Sequence, residues 1–331
     1  MPETMRAAIV TVHGVAVQPV PLPQPGPEQV LVRVRAASLN RADLGVAAGH
    51  AHGAMGGPGT VLGIEFAGEV VACGSGVAAL APDLVPGARV MCSGTGGYAE
   101  YAVADLGRAM PVPGSNLSWE LAATLPVALA TMHDALVSNG GLTAGQSVMV
   151  LGAASGVGLI GLQIAKFLGA GLVIGTSADA GRRAKLAGFG ADLAVDTSLP
   201  GWHEQVLEAT GGHGVALVID QISGTTINAA MAATAIRGRI VNVGRLGGSR
   251  GEFDFDLHAN RRLTYIGVTH RTRSVAEIRE EVRVMRRDLW TAVQAGRFNL
   301  PIDRIFPLTE APEALAHMKA NQHFGKIILQ P

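Results

Sequence analysis

Three features of the sequence predict an α/β chain of two domains, one rich in β-strand and one built on a doubly wound parallel sheet. The chain has 331 residues, and at roughly 150 residues per domain that is enough for about two hydrophobic cores. From Arg6 to about Val103 the apolar residues come in short runs broken by Gly and Pro. From about Ser147 near-continuous apolar runs alternate with helical periods, the texture of a parallel sheet covered on both faces.

In the first third the runs RAAIVTV, VLVRVRA, FAGEVVA, ARVMC and YAEYAV are strand candidates. Val30, Val32 and Val34 alternate with Leu31, Arg33 and Arg35, the two-residue period of a half-buried strand. The segment HGAMGGPG (52–59) has little to pack and is expected to be a mobile loop. Lys and Arg number 26 against 26 for Asp and Glu, so no charge excess points to nucleic acid or an anionic membrane. Cys73 and Cys92 are too few for a disulfide framework, and no Cys-x-x-Cys or Cys/His-rich tract offers a zinc knuckle. With a polar start, MPETMRAAIV, and no run near ~18 uninterrupted apolar residues, the expectation is a reduced, cytoplasmic protein.

The strongest local signal is SVMVLGAASGVGLIGLQIAKFLGA, an apolar strand entering Gly152-Ala-Ala-Ser-Gly156-Val-Gly158 and then a helix. Glycine at a strand-to-helix turn lets the backbone approach a pyrophosphate, and the helix's first N–H groups and dipole hold its charge. Ala154, Ser155, Gly156 and Val157 are therefore candidate dinucleotide contacts. The next strand, LVIGT, ends at Thr176-Ser177, where an NAD-binding domain usually places an acid for the ribose hydroxyls. Ser177 is not acidic, and Arg182, Arg183 and Lys185 follow closely, a cluster suited to a 2′-phosphate. This favours NADP(H), with Thr176, Ser177 and Arg182 as contacts. Two alternatives stay open: solvated charges on an exposed helix, and Asp179 as a helix N-cap or ribose ligand.

Further helices are expected at 180–187, 202–209 and 225–235, with strands LAVD, VALVID and RIVNVG between and after them. After about Leu263 comes a strand candidate, TYIGV, then a long helix opening on Ser274-Val-Ala-Glu277, the spacing of a capping box. Val275, Ile278, Val282, Met285, Leu289 and Val293 give it one apolar face, and Gly296 stops it. The tail reads as a strand (RIFPL), a helix with Pro312 near its start and a last strand (KIILQ).

These residues resemble the zinc-free quinone oxidoreductase (ζ-crystallin-like) branch of the medium-chain dehydrogenase/reductases. The resemblance runs from MRAAIV through AASLNRADLGVAAG, VLGIEFAGEV, GGYAEYAV, LPVALATMHDAL, AASGVG and GRIVNVG to HFGKIIL. It implies a GroES-like β-rich catalytic domain (1–123 and 264–331) and a Rossmann NADP-binding domain (124–263), with the active site in the cleft between them. It implies that Asn40 and Asp43 sit beside the nicotinamide, Asn40 donating a hydrogen bond to an acceptor carbonyl and Asp43 orienting water or polar neighbours. Capping of the loop and helix is the alternative for both. It also implies nicotinamide contact by Thr131, a 2′-phosphate contact by Arg182, and cofactor contacts by Val243, Gly244 and Lys326; a hydroxyl bonded back within its own helix is the alternative for Thr131, and an exposed lysine at a strand start is the alternative for Lys326. A homodimer joined at Rossmann sheet edges follows too, and the GRIVNVG strand is compatible with it.

Zinc-dependent relatives carry a Cys where this chain has Asn40 and a His where it has Ile64, neither substitute a zinc ligand. Without a metal, Glu65 is expected to be structural, paired with an arginine. Hydride addition to an isolated ketone builds a strongly basic alkoxide that needs a Lewis acid or a proton donor. A quinone or enone gives a delocalised phenolate or enolate, which a few hydrogen bonds hold. The leading expectation is thus an NADPH-dependent reductase of a small-molecule quinone, with enone double-bond reduction as the alternative within the class. His50, His52 and His133 stand where relatives often carry aromatic residues and are candidate proton donors, with a surface or satisfied core histidine as the alternative for each. A short-chain dehydrogenase is excluded, since the residues four positions after Tyr98, Tyr101 and Tyr265 are Ala102, Asp105 and Thr269 rather than Lys. A non-catalytic NADPH-binding sensor or structural protein is the alternative from a different class.

Overall fold

The computed structural model describes residues 1–51, 53, 55–114 and 117–331. They form two compact units, Met1–Val127 with His270–Pro331, and Ala128–Thr269. In the first, β1 (Thr4–Thr11) and β2 (Gly14–Pro21) make an antiparallel hairpin. β3 (Gln29–Ser38) pairs antiparallel with β4 (Glu65–Cys73) and with β6 (Tyr101–Asp105), while β5 (Arg89–Ser93) joins β4 to β7 (Ala109–Pro111). The expected alternation along β3 holds for Arg33, which is exposed between buried Val32 and Val34, but Leu31 is buried as well. It packs in a small second cluster with Met5, Ala7, Ile9, Leu22 and Ala99, so this end of the strand is covered on both faces.

The expected mobile loop at 52–59 includes His52 and Ala54, which lie outside the described residues. Met55 contradicts the idea of a segment with little to pack, being buried in the first unit's main core.

The second unit is a six-stranded sheet in the order β10-β9-β8-β11-β12-β13, all parallel. Its strands are β8 (Ser147–Leu151), β9 (Leu172–Thr176), β10 (Leu193–Val195), β11 (Val215–Asp220), β12 (Thr234–Asn242) and β13 (Thr264–Gly267). The chain winds outward from β8 to β10, then returns to β11 beside β8 and winds the other way. The ends of β8 and β11 therefore flank the topological switch point, where open α/β sheets bind ligands. Two expectations need correction. TYIGV belongs here and not to the first unit, because β13 pairs in parallel with β12; the units divide a few residues beyond 123 and 263. And the GRIVNVG strand is internal, so the free edge on that side is β13.

The helix after β8, Gly156–Phe167, packs close to the strand it follows. A Cβ at Gly158 would lie 2.7 Å from Ala153 Cα and 2.8 Å from the carbonyl oxygens of Ala153 and Gly152, distances no side chain tolerates. The helical run Trp119–Asn139 meets the length and apolarity of a membrane span, but 72% of its most apolar window is buried within the fold, its apolar surface being used in packing.

The tail returns to the first unit. Ser274 and Glu277 form the expected capping box on the helix Val275–Gln294. Ile278, Val282, Met285, Leu289 and Val293 are buried, whereas Val275 is exposed and Glu281 is buried in its stead, paired with Arg273 and His270. β14 (Ile302–Pro307) and β15 (Lys326–Gln330) then extend the sheet to the order β14-β15-β3-β4-β5-β7. Ile328 of β15 lies opposite Ser38 of β3.

Gly158→Ala is expected to lower the stability of the second unit by about 1–3 kcal/mol, the usual cost of overpacking. Gly188→Ala, where an added methyl meets nothing within 4 Å, should stay within about 0.5 kcal/mol of the parent. Urea unfolding of both variants checks the contrast, and equal effects would count against the close approach of the helix to the turn at Gly152–Ala153.

Candidate active site

β3 ends at Ser38, and the chain turns at Asn40, the N-cap of the helix Arg41–Ala47. Asp43 sits in the first turn, and its Oδ2 accepts the Asn40 backbone N–H at 2.7 Å. The Leu39 N–H donates to the Ile327 carbonyl at 2.9 Å, which ties this turn to the start of β15 and brings Lys326 alongside. The Lys326 ammonium donates to Asn40 Oδ1 at 2.9 Å and to Glu65 Oε2 at 2.8 Å. Glu65, fully buried at the start of β4, also accepts from Asn40 Nδ2 at 3.1 Å and, through Oε1, from the Val127 N–H at 2.7 Å. The Tyr98 hydroxyl donates to Asp43 Oδ2 at 2.6 Å.

This geometry corrects three expectations. Asn40 does not present its amide N–H groups to an acceptor: Nδ2 donates to Glu65 Oε2 and to the Ser38 carbonyl at 3.2 Å. Its orientation is unambiguous, since the oxygen faces a donor-only ammonium and the nitrogen faces two acceptors. Glu65 pairs with Lys326, not with an arginine. Lys326 is neither an exposed strand-start lysine nor turned toward solvent, being only 4% exposed, because leaving Glu65 buried without a counter-ion would cost several kcal/mol.

Two carboxylates thus share one ammonium in a buried cluster. Asp43 carries the consequence: its pKa rises from 3.8 to about 6, driven by loss of solvation and, less, by the charge of Glu65, against the opposing pull of Tyr98, the Asn40 N–H and Lys326. Burial and the Asp43 carboxylate hold the Tyr98 phenol well above its ordinary pKa, so it acts as a donor. Tyr98 was not singled out from the sequence, although GGYAEY contains it. The signal lies in Gly63 of LGIEF, with φ +99°, where a Cβ would fall 2.4 Å from Tyr98 Cδ1: the glycine leaves a slot for the ring. His50 is exposed and His133 buried, and His52 lies outside the described residues.

In the second unit Ser155 caps the helix Gly156–Phe167: its Oγ accepts the Gly158 N–H at 3.0 Å and donates to Gln221 Oε1 at 2.9 Å. Gln221 Nε2 reaches the carbonyls of Leu151 and Gly152, both at 3.2 Å, stapling the ends of β8 and β11; no sequence pattern marked it. With Ser155 spent on Gly158, the N–H groups of Gly156 and Val157 are the helix's first donors for an anion. Thr176, fully buried, receives the Gly152 N–H on Oγ1 at 3.2 Å and the Ala153 N–H on its carbonyl at 3.0 Å; it shapes the turn from behind. The Val243 and Gly244 N–H groups donate to the Asp220 carbonyl at 2.8 and 3.1 Å. Ser223, at φ 59° and ψ −152°, is held beside them by Asp220, Asn242 and the Gly244 carbonyl.

Asp179 Oδ1 accepts the Arg182 N–H at 2.8 Å, so it caps the helix Ala180–Arg183. Ser177 Oγ accepts the Asp179 N–H at 3.3 Å. Arg183 is bound to Asp196 at 2.9 Å and to the Ser177 carbonyl at 2.9 Å. The half-buried Arg182 remains the phosphate candidate. Thr131 is half-buried on the helix Pro126–His133. The structure thus gathers Asn40, Asp43 and Lys326 in the first unit, while Thr131 and the other dinucleotide candidates belong to the second.

Residues 26–114 match the family model described as alcohol dehydrogenase GroES-like domain, and residues 156–287 the one described as zinc-binding dehydrogenase. A mycobacterial quinone oxidoreductase is 30% identical and superposes with a TM-score of 0.86, covering 99% of this chain and 100% of that one. A mycobacterial protein complexed with NADPH is 28% identical with a TM-score of 0.86, over 99% of this chain and 100% of that one. Polyketide synthase GfsB of Streptomyces halstedii is 31% identical over 91% of this chain, but the chain spans only 5% of its length. The chain belongs to the medium-chain dehydrogenase/reductase superfamily, in its zinc-free quinone oxidoreductase type. The zinc of the wider family does not fit here: Ile64 has no donor atom, and an ammonium already lies on Asn40 and Glu65.

Because Asp43 binds its proton more tightly in the fold than in the unfolded chain, it lowers stability as pH rises from 3.8 toward 6, by about 3 kcal/mol in full above that window. Asp43→Asn removes this contribution. Its stability relative to the parent, measured by urea unfolding, is expected to improve by up to that amount between pH 4 and pH 7.5; a difference constant with pH would contradict the buried, proton-hungry carboxyl.

Proposed function

We propose that the protein is a metal-independent, NADPH-dependent reductase whose acceptor is a quinone or another conjugated carbonyl. The observation that carries this reading is the Asn40–Lys326–Glu65 triad. It puts a fixed ammonium where a metal-dependent relative would hold a Lewis acid, and a fixed charge of that kind suits an acceptor that delocalises the negative charge it receives. The likeness to solved quinone oxidoreductases supports the same choice.

The coenzyme-binding residues fit a phosphorylated dinucleotide. The crowding at Gly158 leaves room for backbone only, Gly156 and Val157 offer N–H groups to the pyrophosphate, and Arg182, half-buried on the helix that Asp179 caps, is the basic side chain assigned to a 2′-phosphate. Val243, Gly244 and Thr131 line the nicotinamide end. NADPH bound there supplies the hydride. Lys326 provides the positive charge that holds the anionic product of hydride addition, and Asn40 fixes the ammonium's position.

A second reading, reduction of a carbon–carbon double bond conjugated to a carbonyl, draws on the likeness to polyketide synthases over 91–92% of this chain. The protein is further proposed to be cytoplasmic and to form a homodimer through the free β13 edge, where Thr264 and Tyr265 are exposed.

NADPH and NADH are to be compared against quinones, enones and saturated aldehydes, with and without EDTA. Quinones or enones should consume NADPH fastest, with no loss on chelation, and the faster of the two decides between the readings. Activity confined to simple alcohols and abolished by EDTA would refute both, and coenzyme binding without turnover would favour a sensor. Arg182→Ala should raise the KM for NADPH roughly 10- to 100-fold, the worth of a charged hydrogen bond, and leave that for NADH nearly unchanged.

A further inference from the structure

The acceptors of Asp43 are used unevenly. Oδ2 receives both the Tyr98 O–H at 2.6 Å and the Asn40 N–H at 2.7 Å. Oδ1 is buried and, among the described residues, meets no hydrogen-bond donor. Glu65, by contrast, has partners on both oxygens. The charged and titratable groups facing Asp43 are Tyr98 from the segment before β6, Glu65 from β4 and Lys326 from β15. Without Tyr98 the carboxylate would keep one direct donor in a fully buried site.

Tyr98 is itself rigidly placed. It is fully buried, its N–H donates to the Leu62 carbonyl at 2.8 Å, and its carbonyl accepts the Ala8 N–H at 2.8 Å. The Cδ1–Cε1 side of the ring fills the slot left by Gly63. A phenol so fixed determines where the Asp43 carboxylate lies. Asp43 in turn holds the backbone N–H of Asn40, whose side-chain carbonyl holds Lys326.

We propose that Tyr98 is a positioning residue of the reductase site: its O–H keeps Asp43 ionised and aligned, so that Asn40 and the Lys326 ammonium stand in their working arrangement. The proposal rests on the reductase reading above. Protonation of Asp43 weakens its hold on Asn40, and activity should fall as pH drops through the Asp43 titration. Removing the phenol O–H deprives the carboxylate of a stabilising donor and should move that fall to higher pH by about one unit.

Two measurements on the full chain test this. The first follows the Asp43 carboxyl carbon by NMR in 13C-aspartate-labelled protein, the resonance being identified by its loss in Asp43→Asn. Its midpoint, near pH 6 in the parent, should rise about one unit in Tyr98→Phe. The second follows kcat against pH with the best acceptor. The acid limb should shift with the carboxyl, making Tyr98→Phe about fivefold slower at pH 6 while the KM for NADPH stays within about twofold. In the Asp43→Asn background the limb owed to Asp43 should be absent, and adding Tyr98→Phe should shift the pH profile no further. Replacing Tyr98 by 3-fluorotyrosine, a stronger donor that keeps the ring in its slot, should move both midpoints down, and this arm stands even where Tyr98→Phe folds poorly. A carboxyl midpoint unmoved by either replacement, or a carboxyl that shifts while the kcat limb does not, overturns the role of Tyr98. A parent that turns over no acceptor overturns the reductase reading and the role built on it.

Discussion

Lys326 and Glu65 form the contact on which the first unit depends. Taking both charges out of water costs several kcal/mol each, and attraction alone rarely offsets that unless the remaining donors and acceptors are satisfied. Here they nearly are: the carboxylate accepts from Lys326, from the Asn40 amide and from the Val127 N–H, and the ammonium has a second acceptor in Asn40. The pair consequently fixes the turn after β3, the start of β4 and the start of β15 relative to one another. The cost reappears one residue further out, at Asp43, the second carboxylate for which the cluster has no ammonium.

The second unit is built on the opposite economy, with neutral groups doing the positioning. Ser155, Gln221 and Thr176 bind the strand ends and the turn to each other, and the residues left for a ligand are backbone N–H groups. Thr176 and Asp179 were plausible ligand contacts in the sequence because their positions follow a strand end. In the structure both turn toward the protein's own backbone, which holds the turn and the start of the following helix in place.

Local rules carried the sequence a long way. The Ser274–Glu277 cap, the glycine turn at 152–158 and the apolar strands are features whose cause lies within a few residues, and they stand where their spacing puts them. What the sequence hid depends on partners far apart along the chain. Nothing near Leu31 announces that its face is covered by the hairpin β1–β2, and nothing near TYIGV says which sheet it joins, since a four-residue strand is compatible with either. Glu281 lies on the apolar face of its helix because His270 and Arg273 reach it from outside the helix, and periodicity does not register such compensation. Asn40 illustrates the same gap: its family position was legible, but the commitment of both amide hydrogens became visible only with Glu65 and Ser38 in place.

The contribution of β15 also bears on how the polypeptide acquires its form during synthesis. The second unit is one continuous stretch, Ala128–Thr269, whereas the first is split around it, and Glu65 precedes its counter-ion by 261 residues. At about 5–20 residues per second a ribosome needs on the order of half a minute to cover that distance. Throughout it, the acid on β4 has no cation to meet and the edge of β3 that β15 will cover stays open. The continuous second unit can therefore close on the nascent chain, while the first unit must wait for β15.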